Sequence, residues 1–135
     1  MRFLAALAVT ALVFIGGDAI VIPNVMRPLF LSYLGPQMLD VLRLGPAALF
    51  YVIHIGGIAY FAVAPALKAQ RARKAFVDGA ILGLVAYSCY EMTSWTIMRD
   101  WHLNLVLIDT AWGTFISGFA AYCGAKAGLW RTNRA

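Results

Sequence analysis

Apolar residues fall along this chain in four long blocks: Phe3 to Ile22, Pro46 to Leu67, Phe76 to Met98, and Leu103 to Ala125. Each reaches the roughly 18 to 20 residues that a helix needs to cross ~30 Å of hydrocarbon. Backbone in that medium must satisfy its own hydrogen bonds, and a helix does so within one segment. The pattern predicts an all-α protein, a four-transmembrane-helix antiparallel bundle in which residues 1–135 form a single integral membrane domain.

Between the first two blocks, Pro23, Pro28, Gly35-Pro36 and Gly45-Pro46 punctuate a long connection. Within it Gln37, Asp40 and Arg43 recur every third residue among Met38, Leu39, Val41, Leu42 and Leu44, the pattern of a short amphipathic helix lying in the membrane interface. The alternative is a first helix that continues past Pro23 with a kink. The second connection, Lys68 to Lys74, reads as a compact basic turn that touches anionic headgroups. The third, Arg99 to His102, is short enough to force the last two blocks into a hairpin. Trp95, Trp101 and Trp112 then mark the outer boundary, as interfacial aromatics do.

Composition agrees: 62% of residues are hydrophobic and 13% charged, so any function sits in or beside the bilayer. The net charge of +5 raises the question of nucleic acid, but the basic residues flank apolar blocks instead of alternating with aromatics on a soluble face, which argues against it. Their distribution sets topology. Arg2, Lys68, Arg71, Arg73, Lys74, Lys126, Arg131 and Arg134 share one side and Arg27, Arg43 and Arg99 the other, so both termini are expected in the cytoplasm. A bacterial inner (cytoplasmic) membrane is the expected location. The first block also fits a cleaved signal peptide, with Gly17 and Ala19 in cleavage-like spacing, though cleavage would leave the charge distribution unchanged. Cys89 and Cys123 lie at depths ~18 Å apart, too far for a disulfide, and read as small buried hydrophobes.

Charged residues within spans are costly and normally face protein, water or a partner. Asp78, two residues into its span, pairs with Lys74 at i,i+4 or caps that helix start. Counted from the outer helix ends, Asp18 and Asp109 lie about 9 Å deep and Glu91 and His54 about 12 Å. Each helix thus brings one titratable group to a common layer. On shared helical faces, Glu91 is accompanied by Tyr87, Ser94 and Trp95, Asp109 by Trp112 and Gly113, and His54 by Phe50, Tyr51 and Gly57. Asp18, Tyr51, His54, Tyr87, Glu91, Asp109 and Trp112 are therefore the candidate ligand-binding residues of an aromatic-lined pocket suited to a lipid or small lipophile. Two carboxyls close together in low dielectric share a proton, which is an acid/base device. The competing reading is a structural network of interhelical hydrogen bonds. His54 alone is a weak haem or chlorophyll ligand, no zinc spacing, nucleophile elbow, phosphate loop or dinucleotide fingerprint occurs, and no cofactor or metal is assigned.

From Leu49 to Gly124 the chain resembles an uncharacterised bacterial membrane family, domain of unknown function 2177. The resemblance rests on Phe50-Tyr51, Gly57, Tyr60-Phe61-Ala62-Val63 with Pro65-Ala66-Leu67, Gly83-Leu84-Val85-Ala86-Tyr87 and, most specifically, Asp109-Thr110-Ala111-Trp112-Gly113-Thr114. It implies a four-helix membrane protein and carries no activity. The chain departs from the family pattern at Tyr90-Glu91-Met92-Thr93-Ser94, where Tyr-Asp-Leu-Thr-Asn is usual, and at His54, where tyrosine is common. Asp18 resembles the family's first-helix aspartate without the tryptophan and glycine that follow it there.

Three functions fit these observations: an intramembrane pocket in the outer half of the bilayer that binds or modifies a lipophile, an accessory or assembly subunit of a larger membrane complex, and ion or proton transport by an oligomer. The subunit reading takes Gly56-Gly57 and Gly79 with Gly83 as contact surfaces for other transmembrane subunits. Catalysis is left open.

Overall fold

The structure, a computed structural model, describes residues 1–132. Four helical segments account for nearly all of it, and no strand occurs among the described residues. α1 runs Arg2–Gln37. It comprises α-helical Arg2–Val21, a π-helical turn Ile22–Met26, α-helical Arg27–Leu34 and a 3-10 turn Gly35–Gln37. α2 spans Leu44–Lys68, α3 Ala72–Ile97 and α4 Leu103–Thr132. All four are long and apolar enough to cross a membrane.

The first connection follows the continuous-helix alternative. Pro23 and Pro28 each lack an amide proton, and widening the ladder into a π turn lets the helix pass Pro23 without a break. Residues 38–43, read from sequence as part of an interfacial helix, instead form an irregular return. The every-third-residue polar stripe misled because Gln37 is held elsewhere, donating its amide Nε2 to the Asp100 carboxylate at 2.6 Å, and Met38 and Arg43 are extended. Pro65 in α2 is likewise preceded by a π turn, Ala59–Val63. α2 ends where Arg71 N–H returns to Ala66 C=O, and Gln70 takes the left-handed conformation (φ 55°) that such closures require. His102 starts α4, its Nδ1 accepting from Asn104 N–H at 3.1 Å.

α4 is the central strut. α1 runs antiparallel along its whole length, from Arg2 and Ala6 beside Gly128 to Tyr33 beside Asn104, and α3 packs along its other flank. Close approach relies on small residues: a Cβ on Gly79 would stand 2.8 Å from both the Ala121 Cβ and the Ser117 carbonyl, and one on Gly118 2.8 Å from the Phe76 carbonyl. Gly83 is packed as tightly, against the Gly113 carbonyl. Gly79 and Gly83, expected to face other subunits, are therefore consumed inside the chain. Gly57 makes only ordinary contact with Leu82, and Gly56 faces open space.

The core lies toward the end that carries the termini, where Ala6, Ala62, Ala66, Ala75, Ala120, Ala121 and Ala125 are all fully buried. Arg2 and Leu67 both reach Gly128, so Arg2, the Lys68–Lys74 turn and Lys126 gather at that end. Lys74 Nζ meets Asp78 Oδ2 at 2.7 Å, the i,i+4 pair read from sequence. Arg134 of the basic tail lies outside the described residues, as does the side chain of Arg131. A smaller cluster, Leu34, Trp101, Leu105 and Val106, joins the far end of α1 to the start of α4. Leu12, Val52, Ile53, Ile81 and Leu107 are exposed while Asp18, His54 and Glu91 are buried. That inversion of the water-soluble arrangement is what hydrocarbon around the bundle produces.

Candidate functional site

Asp18 is the best-held acid in the chain. Its Oδ1 accepts from Trp112 Nε1 at 2.9 Å and its Oδ2 from Tyr51 Oη at 3.0 Å, so one carboxyl ties α1 to α4 and α2. Gly17 makes this possible: a Cβ there would stand 2.5 Å from Ile116 Cδ1 and 3.3 Å from the Trp112 ring. Trp112, read from sequence as a candidate for both the outer boundary and the pocket, is thus turned inward.

One turn deeper on α2, His54 Nε2 lies 2.9 Å from Ser117 Oγ. The Phe50 ring stacks on its imidazole at 5.4 Å between centroids, Phe14 lies at 5.1 Å, and Tyr87 meets it edge-on at 5.7 Å. Tyr87 itself rests flat over Gly113, where any Cβ would overlap its ring. Sequence reasoning missed Ser117, although Asp109, Gly113 and Ser117 follow one another at the four-residue spacing of one helical face.

Glu91 behaves differently from the other acids. Fully buried, it does not line the cavity that the rest surround. Its Oε2 accepts from Trp101 Nε1 at 2.7 Å. Trp101, expected among the interfacial aromatics, is therefore folded inward from the α3–α4 turn and is 7% exposed. A buried carboxylate at the end of α3 needs a donor, and the indole N–H of the following turn is the one within reach. Of the three tryptophans expected at the boundary, Trp95 alone is substantially exposed, at 45%. The other Glu91 oxygen, Oε1, is buried without an ordinary donor.

Asp18, Tyr51, His54, Tyr87, Asp109 and Trp112 converge on one cavity of about 580 Å³. Tyr90 and Phe50 complete its aromatic wall, and Ile22, Ala47, Ile53 and Ala86 its apolar rim. The first part of α2, Leu44–Ile58, packs on α1 but makes no extensive backbone approach to α3, whereas the π turn below it does. The cavity occupies that divergence and is partly open between α2 and α3. A second depression of about 530 Å³, between α3 and α4, is walled almost wholly by apolar side chains. No group of three or more His, Cys, Asp or Glu side chains is arranged to hold a metal among the described residues. Cys89 and Cys123 are both free thiols.

Compared with known proteins, residues 3–126 match the model of a family described as "Predicted membrane protein (DUF2177)". No curated protein and no solved structure matches the chain.

Proposed function

The chain belongs to the membrane protein family called domain of unknown function 2177, and on that footing we propose that it binds a lipophile in the Asp18–Asp109 cavity. Four apolar helices make it a multi-pass membrane protein. The observation that carries the reading is the pairing of a fixed polar centre with an apolar entrance. Asp18 is anchored by two donors from two helices, rings surround it, and the gap between α2 and α3 faces where lipid chains would lie. Structural glue would need the anchored carboxyl but not the empty volume beside it.

In this reading the end bearing the termini is cytoplasmic, following the basic residues gathered there, and the cavity lies in the outer half of a bacterial inner membrane. Residues 1–135 act as one membrane domain. Asp109 lines the cavity with Asp18, while Glu91 stays outside it, held by Trp101.

The test is thermal unfolding of detergent-purified protein titrated with three twelve-carbon amphiphiles: dodecyltrimethylammonium, dodecanol and laurate. Protection by at least one of them in the wild type, lost in Asp18→Asn and in Tyr87→Leu, is the expected result. No protection by any, or equal protection in both folded variants, would show that the cavity is not a binding site.

A further inference from the structure

Among the described residues, the cavity wall holds two carboxyl side chains, Asp18 and Asp109, and not one lysine or arginine. Asp18 is engaged entirely by neutral donors, the Tyr51 hydroxyl and the Trp112 indole, which orient a carboxylate without cancelling its charge. His54, the single basic ring present, is turned to Ser117 and enclosed by Phe14, Phe50 and Tyr87. The nearest stretch of wall is aromatic: Phe50, Tyr51, Tyr87, Tyr90 and Trp112 all border the same volume.

Anionic groups in a low-dielectric site are stable only when paired, protonated or met by a ligand of opposite charge. Aromatic faces add their own preference, since the negative face of each ring attracts a cation, most strongly when water is excluded. A carboxyl and several rings around one apolar-mouthed volume complement a single kind of ligand. We propose that the site selects a lipophilic cation, an amine or quaternary ammonium on a hydrocarbon body, with the nitrogen beside Asp18 and the hydrocarbon leaving between α2 and α3. This inference rests on the binding reading above and names its ligand class.

The same wall disfavours the two commoner amphiphile heads. A carboxylate or sulfate would approach Asp18 and Asp109 with no cation to meet it. A zwitterionic phospholipid could offer its ammonium only by bringing its phosphate near two acids. An ammonium without a phosphate is therefore the better fit. Asp109 adds a second carboxyl to the same wall.

The experiment compares matched heads on the full chain in neutral detergent. Quenching of tryptophan emission, to which Trp112 at the site contributes, is followed during titration with dodecyltrimethylammonium, dodecanol and laurate, and with dioleoylphosphatidylcholine in nanodiscs. The expected result is binding of the ammonium about tenfold or more tighter than dodecanol, the step that cation–aromatic and ionic terms together supply. Laurate should bind weakest. Asp18→Asn should weaken ammonium binding by about tenfold or more and erase its margin over dodecanol. Trp112→Phe keeps a ring and the Asp18 charge while losing one Asp18 hydrogen bond, so, read by thermal protection in place of emission, it should still prefer the ammonium to dodecanol, and loss of that preference with the charge intact would overturn the ionic part of the inference. Equal binding of ammonium and dodecanol by the wild type overturns the cation inference while sparing the pocket. Phosphatidylcholine binding as tightly as the single-chain ammonium overturns the choice of a phosphate-free ligand. Binding of none of the four overturns the pocket itself.

Discussion

The two halves of this bundle are built on opposite rules. Toward the termini the helices meet through glycine and alanine, with Gly79, Gly118, Gly124 and Gly128 each in contact with a neighbouring helix where a methyl group would collide. Toward the α3–α4 turn they are spaced by rings, with Tyr51, Tyr87 and Trp112 standing between backbones and Phe50 stacked on His54. Small residues close a gap between helices and leave no volume; large planar ones hold it open and supply a wall. One chain thus has a clamp and a chamber, and α2 begins to pack against α3 at the π turn Ala59–Val63.

The most direct way to break this division is to force the clamp apart. Gly83→Ala places a methyl group on the Gly113 carbonyl, and backbone cannot rotate away. Destabilisation at the upper end of the ~1–3 kcal/mol seen for overpacked cores is expected, read as a fall in midpoint on thermal or denaturant unfolding in detergent. Gly113→Ala sharpens the boundary between the halves, because what it strikes is the Tyr87 ring, a side chain that can move. It should cost ~1–3 kcal/mol alone, and adding Tyr87→Ala should recover part of that loss. Strict additivity of the pair in a double-mutant cycle would mean that ring and glycine are not coupled.

Trp101→Phe probes the chamber's outer support. It leaves Glu91 Oε2 buried and without its donor, at a cost of ~1–3 kcal/mol. Glu91→Gln in the same background should restore little, since the amide still lacks the Trp101 partner. Smallest of all, Gly56→Ala adds a methyl group into open space and should be neutral or stabilising by up to ~1 kcal/mol through helix propensity. A large loss there would reveal a contact with another protein at this face.

The helices were legible because they depend on counting along the chain: apolar block length gives the spans. Counting depth at a fixed rise suggests one layer for Asp18, His54, Glu91 and Asp109, but in the structure His54 sits a turn below Asp18, beside Ser117, and Glu91 does not line the cavity. Partners around the helix axis were not legible. Rotation decides that Glu91 faces Trp101 while Asp109 faces the cavity, and the periodicity of uniformly apolar helices carries almost no information about rotation. Trp101 shows the failure clearly: its place at a helix end matches an interfacial aromatic, and only the folded turn reveals the buried acid it serves. Gly79 and Gly83 were recognised as packing residues, but a small residue does not say which helix it awaits. Ser117 was passed over because a lone serine in an apolar span carries no signal of its own.

The length of α1 has a mechanical corollary. At ~1.5 Å per residue its 36 residues extend ~54 Å, well beyond the ~30 Å of hydrocarbon. Contacts of Asp18 with Tyr51 and of Phe14 with His54 put the start of α2, Leu44, level with about Val25 of α1. The chain beyond Val25 climbs ~18 Å before it turns. Residues 38–43 must bring it back, and at ~3.3–3.6 Å per residue they reach only ~20–25 Å. The connector therefore has little slack. It acts as a tether of set length that holds the free end of α2 in place beside the gap, and the width of that gap becomes a matter of how many residues the tether contains.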